Sequence, residues 1–184
     1  MRSQLLLTAL ALTASAWGQE IVLQPDPAHT TVDFTLPATL HTVHGSFKFK
    51  RGAVRFDPAT GKISGEIVID AASGASGDEG RDRRMHKDIL ESAKYPDIAF
   101  APDRVDGTVA PRGVSQIQVH GIFRMHGADH EITLPVEVAM DRGHASVKTT
   151  FSIPYVKWGM KNPSTFVLRV NDKVSIDAAS VALP

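Results

Sequence analysis

The chain has 184 residues, with 20 Lys+Arg against 20 Asp+Glu, 42% hydrophobic residues and no cysteine. That length and apolar fraction fit one domain with a real core. Balanced charge gives no footprint for nucleic acid or an anionic surface as partner, and the missing thiols exclude disulfides, thiol catalysis and cysteine-ligated metals.

Residues 1–18 read as a cleaved signal peptide. Met1-Arg2 is a short positive start, Leu5 to Leu12 is an apolar run too short to span a bilayer, and Ala14-Ser15-Ala16 supplies the small-x-small cleavage pattern. No cysteine follows, so a lipoprotein anchor is excluded. The expected product is a domain over 19–184, exported to the periplasm or secreted.

Glu20 to Gln24 predicts a short strand, ended by Pro25-Asp26-Pro27, where two positions cannot donate to a ladder. Thr30 to Leu36 predicts the next, with Val32, Phe34 and Leu36 on one face. Val43, Gly45, Phe47 and Phe49 repeat the alternation, Arg51-Gly52 breaks it, and Ala53 to Phe56 resumes it. Asp57-Pro58-Ala59-Thr60-Gly61 is a turn: Asp leads, Pro sets φ and Gly ends it. Ile63, Gly65, Ile67 and Ile69 line another apolar face, and the Gly/Ser/Ala-rich stretch Ala71 to Gly80 reads as a loop.

Asp78 to Ser92 is the one good helix candidate, many charges around a thin stripe of Met85, Ile89 and Leu90. One helix among many strands predicts a lid or plug across a sheet. Tyr95-Pro96 stops it, Ile98 and Phe100 begin a strand, and Asp106-Gly107 forms a hairpin corner. Val114 to Met140 then predicts a long β-hairpin turning at His126-Gly127-Ala128-Asp129. Ile117, Val119, Gly121, Phe123 and Met125 share a face with Ile132, Leu134, Val136, Val138 and Met140. Ala145, Val147, Thr149, Phe151 and Ile153 follow, then an irregular stretch from Pro154 to Pro163, then Val174, Ile176 and Ala178.

About eight short strands, each apolar on one face, predict an all-β fold with one short helix: an antiparallel, eight-stranded, lipocalin-like barrel whose closure leaves no free edge. The apolar face belongs inside, not toward lipid. Many segments are shorter than the roughly 9–11 residues of a membrane-spanning strand, and two Trp with two Tyr cannot build two aromatic girdles. Gly45, Gly65 and Gly121 fall in the inward register, where glycine marks either a bend or volume removed to leave a cavity.

Chemistry is hard to find in the chain. His41-x-x-His44 and His126-x-x-x-His130 have no metal geometry on a strand or in a turn and read as solvated, while His29 reads as tying down a loop. There is no G-x-S-x-G elbow, and Ser73 to Gly80 lacks the Lys of a phosphate loop. No catalytic residue, metal or cofactor is implied.

Several stretches together carry a resemblance. Asp26-Pro27-Ala28-His29-Thr30-Thr31-Val32-Asp33-Phe34, Arg81-Asp82 with its helix, Tyr95-Pro96-Asp97-Ile98-Ala99-Phe100, and Val119-His120-Gly121-Ile122-Phe123-Arg124-Met125-His126-Gly127 running on to Val136 resemble, in order, motifs of the YceI-like family of lipid- or polyisoprenoid-binding proteins. The resemblance implies a barrel that holds a long isoprenoid or other lipid chain, often in the periplasm, for storage or transport.

The expected lining is then Phe34, Phe47, Phe49, Ile67, Phe100, Ile117, Val119, Phe123, Leu134, Val136, Val147 and Phe151, with Met85, Ile89, Trp158 and Met160 closing the mouth. A polyprenyl lipid or quinone is the expected ligand, its head near the helix or His29. No nucleic acid and no spanning of a membrane are expected, and a homodimer stays open. Two other readings stand beside this one. A hydrolase or isomerase on the same barrel would need two titratable groups converging inside, and a structural or stress module binding a protein partner would have a solid core.

Overall fold

The computed structural model describes residues 20–141 and 144–183; the expected signal peptide lies outside them. Eight antiparallel strands, β1 (Ile21–Leu36), β2 (Val43–Asp57), β3 (Lys62–Ala75), β4 (Asp97–Asp106), β5 (Gly113–Met125), β6 (Ala128–Asp141), β7 (His144–Ile153) and β8 (Val174–Leu183), close into a barrel in chain order. A short helix, α1 (Glu79–Arg84), lies between β3 and β4. The expected architecture is the one observed. In the β5–β6 hairpin, apolar residues sit directly opposite one another, Ile117 against Val136 and Val119 against Leu134.

Two of the expected strands fuse with their neighbours. β1 runs unbroken through Pro25-Asp26-Pro27, because the prolines fall where its register slips against both β2 and β8. The excess residues form a local turn. Asp26 accepts from the Ala28 backbone at 2.9 Å and pairs with His29 Nδ1 at 2.6 Å, so His29, expected to tie down a loop, instead braces a bulge inside β1. β2 likewise continues through Arg51-Gly52, with a register shift against β3 between Phe49 and Arg51 and Gly52 at φ 131°. Such a bulge flips the facing of everything beyond it. Phe47 and Phe49 point inward on odd numbers, Val54 and Phe56 on even ones.

The loop expected from Ala71 is strand as far as Ala75. Its small residues allow a wide bulge in which the Ser73 hydroxyl accepts from the Lys48 backbone at 2.7 Å, replacing a ladder partner. The expected α-helix over 78–92 is shorter and changes type. Asp78 caps α1, then Met85–Ile89 forms a π-helical turn closed by Leu90 N–H donating to the Met85 carbonyl at 2.8 Å. The wider turn accompanies the burial of Leu90 and keeps Met85 and Ile89 on the barrel's inner wall.

The core divides into two clusters. One, around Phe34, Leu90, Phe123 and Tyr155, lies at the end of the barrel carrying α1 and the loops 37–42 and 154–173. The other, around Ile117, Leu134 and Val138, lies toward the opposite end.

Candidate functional site

Between and alongside these clusters the barrel encloses a cavity of about 710 Å³. A solidly packed core leaves voids little larger than a water; this one is within the roughly 300–1,000 Å³ of small-molecule sites. Phe34, Phe47, Phe49, Ile67, Phe100, Ile117, Val119, Phe123, Leu134, Val136, Val147 and Phe151 all lie on its wall, as do Met85, Ile89 and Met160 toward the helix end. Trp158 does not. Its indole stacks on the His130 imidazole at 3.9 Å and 5°, and packs 5.7 Å from the Phe123 ring, joining the core cluster at the helix end without lining the cavity.

Sequence reasoning missed Ile21, Leu23, Val54 and Phe56, which extend the lining toward the far end. Bulges hid them by reversing their facing, although the resumed alternation from Ala53 to Phe56 was the signal. Leu168 and Val170 also reach the cavity from a loop with no periodicity to betray them.

The inward glycines do not create the hollow. A Cβ on Gly45 would lie 2.4 Å from both the Phe34 ring and the Ala75 carbonyl oxygen, and one on Gly121 would lie 2.4 Å from the Ala101 oxygen. These are places of close backbone approach beside register shifts, with an aromatic ring folded over each glycine. The bend reading holds.

Charge on the wall is confined to one end. Its ionisable residues are His41, Asp78, Arg81, Arg84 and Tyr155, all from α1 and the loops around it. The Arg81 guanidinium is held by Ser76, donating to its hydroxyl at 2.7 Å and its carbonyl at 2.8 Å. Asp78 accepts from the Arg81 backbone at 2.8 Å, and that bond keeps its carboxyl below the usual range. Arg84 is exposed and has no hydrogen-bond or ion-pair partner among the described residues. Burial pushes the Tyr155 hydroxyl up to about 12, so it remains a donor, bonding the Asn171 carbonyl at 2.7 Å and fixing the base of the 154–173 loop. The middle of the barrel presents hydrocarbon.

Among the described residues no group of three or more His, Asp or Glu is placed to hold a metal. His41 and His44 are exposed, as expected. His126 and His130 are not solvated: both Nε2 atoms are buried without a hydrogen-bond partner, His126 against Tyr95 at 4.7 Å and His130 against Trp158. Flanking aromatics that are distant in sequence made that burial unreadable. Among the described residues no helix is long and apolar enough to cross a membrane.

A family model described as the YceI-like domain matches residues 23–182. UPF0312 proteins of Pseudomonas savastanoi pv. phaseolicola and Pseudomonas syringae pv. syringae are 30% identical over 132 residues, 69% of this chain; the match spans 66% of their length, just under two thirds. Among solved structures, Burkholderia cenocepacia BcnA superimposes with a TM-score of 0.73 at 24% identity, over 86% of this chain and 99% of that one. A polyisoprenoid binding domain from Saccharophagus degradans, implicated in plant cell wall breakdown, gives 0.67 at 17% identity, over 90% of this chain and 100% of that one. The Campylobacter jejuni YCEI protein gives 0.61 at 18%, over 78% and 86%. The structural likenesses show the shared barrel, while the matched family model covers most of the sequence: the chain belongs to the YceI-like family.

Proposed function

We propose that the protein is an exported carrier or store for a long apolar chain, a polyprenyl lipid or quinone, held in the barrel. The observation that carries this reading is the 710 Å³ cavity, with hydrocarbon along its length and ionisable groups at one end only. An amphipathic chain with one polar head matches that distribution. Its tail would gain roughly 25 cal/mol for each Å² buried, in a tunnel whose walls are already ordered. Arg84, exposed and unpaired at the helix end, is the group best placed to meet an anionic or carbonyl head. The Saccharophagus neighbour, described as polyisoprenoid-binding, supports the ligand class, and the amino-terminal pattern supports export.

The test is organic extraction of protein purified from its native host, followed by mass spectrometry. A stoichiometric isoprenoid or quinone is the expected result; repeated empty extracts, with no uptake of added polyprenol, would overturn the reading.

A further inference from the structure

Two loops at the helix end are stapled into one projecting crest. Ala38 bridges Val170, Thr39 N–H donates to the Arg169 carbonyl at 2.9 Å, and Asn171 N–H donates to the Pro37 carbonyl at 2.9 Å. Beyond the staple, Thr165 N–H donates to the Leu168 carbonyl at 2.8 Å, closing a turn with Phe166 and Val167 at its tip. Phe166 is 99% exposed, Val167 75%, and Leu40 on the neighbouring loop 73%. A hydrogen-bonded turn that holds an aromatic ring fully in water has its apolar surface aimed at something other than its own core.

Charge says what that is. The whole chain is neutral, but Lys157, Lys161, Arg169 and Lys173 on the 154–173 loop face a single acid, Asp172, and loop 37–42 adds none. None of those four cations has an ion-pair partner among the described residues. Apolar side chains at a protruding tip, flanked by unneutralised cations, are the pattern of a surface that seats in the interface of an anionic bilayer. The crest is also continuous with the cavity: Ala38, Leu168 and Val170 belong both to it and to the cavity wall.

We propose that this crest docks the barrel on an anionic lipid surface, with Leu40, Phe166 and Val167 entering the interface and the cations meeting headgroups. The helix-end mouth then opens where a chain can pass between bilayer and barrel. The transfer role rests on the carrier reading; the docking does not.

The full mature chain is sedimented with vesicles of phosphatidylcholine alone and of phosphatidylcholine mixed with phosphatidylglycerol. The expected result is binding to the anionic vesicles that weakens with salt, and that falls about tenfold or more in the Leu40→Ser/Phe166→Ser/Val167→Ser variant and in Lys161→Glu/Arg169→Glu. Melting temperature and retention of added polyprenol in detergent solution are expected to stay unchanged, and Val114→Ser, at the other end of β5, is expected to bind as the parent does. Absence of vesicle binding, binding blind to anionic lipid, or a crest that pairs two copies of the chain instead overturns docking, whatever the cavity holds. Vesicle binding with a persistently empty cavity supports docking and removes the carrier reading.

Discussion

Glu91 and His126 approach at 3.8 Å, joining the end of the helical segment to the β5–β6 turn, and both hold the left-handed backbone conformation, at φ 47° and 54°. They are the only non-glycine residues with positive φ among the described residues. His126 and Gly127, at φ 75°, are the two central residues of the tight β5–β6 turn, where such angles match the strands' twist. Glu91 ends the π-helical turn where glycine is the common choice, and its carbonyl accepts from Lys94 and Tyr95 at 2.8 and 2.9 Å. Each strained residue supplies a side chain that a glycine would lack, and together they tie the helical segment to the rim of the barrel.

Glu91→Val should therefore cost ~1–3 kcal/mol, because a branched Cβ is poorly tolerated there. Glu91→Gly should stay within ~1 kcal/mol of the parent, since relief of strain offsets the freer unfolded chain. Urea denaturation checks both, and equal losses in the two variants would show that the side-chain pairing, not the backbone, dominates.

The glycines under Phe34 and Phe100 make the second prediction. Gly121→Ala would put a methyl group 2.4 Å from the Ala101 oxygen and 2.9 Å from the Phe100 ring, and Gly45→Ala would strike the Phe34 ring and the Ala75 carbonyl. Backbone cannot move aside as a flexible side chain can, so each should cost ~1–3 kcal/mol. Gly80→Ala is the control: its nearest neighbour would be an Asp78 oxygen at 3.4 Å, and it falls inside α1. It should be neutral or slightly stabilising in the same urea series.

These residues also show where sequence reading stops. The β5–β6 hairpin was legible because its alternation is unbroken and its register runs from Gly113–Met140 to Met125–Ala128 without a shift. β1 and β2 were harder, since a bulge reverses facing and splits one strand into two apparent ones. Inward glycine was ambiguous, because only the fold places the Phe34 ring over Gly45. The crest was invisible: it joins loops about 130 residues apart, and its basic bias vanishes in a whole-chain sum.

His130 predicts a pH effect. Its imidazole is sandwiched against Trp158 with Nε2 buried and unpartnered, and desolvation holds its pKa below the ordinary 6.5, the nearby Asp129 charge opposing only in part. The unfolded chain therefore binds more protons than the folded one between those two values, so stability is lost as pH falls from about 7 through the folded pKa. Asp26, Asp57, Asp78 and Asp97, held below the ordinary 3.8 by hydrogen bonds, act in the same direction but in a separate and more acidic window. His130→Phe keeps a ring against Trp158 and removes the titration. Melting temperature followed from pH 8 to pH 5 should fall less steeply in that variant; an unchanged slope would place the acid sensitivity elsewhere.

Val136 offers the most direct test of the hollow. It is buried on the cavity wall, opposite Ile117 on β5 and Thr149 on β7. A larger side chain there has empty volume to enter, unlike one forced into a close-packed core. Val136→Trp should keep stability within ~1 kcal/mol of the parent, because new contacts offset the strain of repacking. The same ring would obstruct the tunnel, so lipid recovered per protein should fall by about fivefold or more. Val114→Trp, at a site 63% exposed on β5, should change neither quantity. Stability and lipid content would thus separate, which damage to the fold cannot mimic: a misfolded barrel loses both, and a barrel whose ligand sits outside the tunnel loses neither.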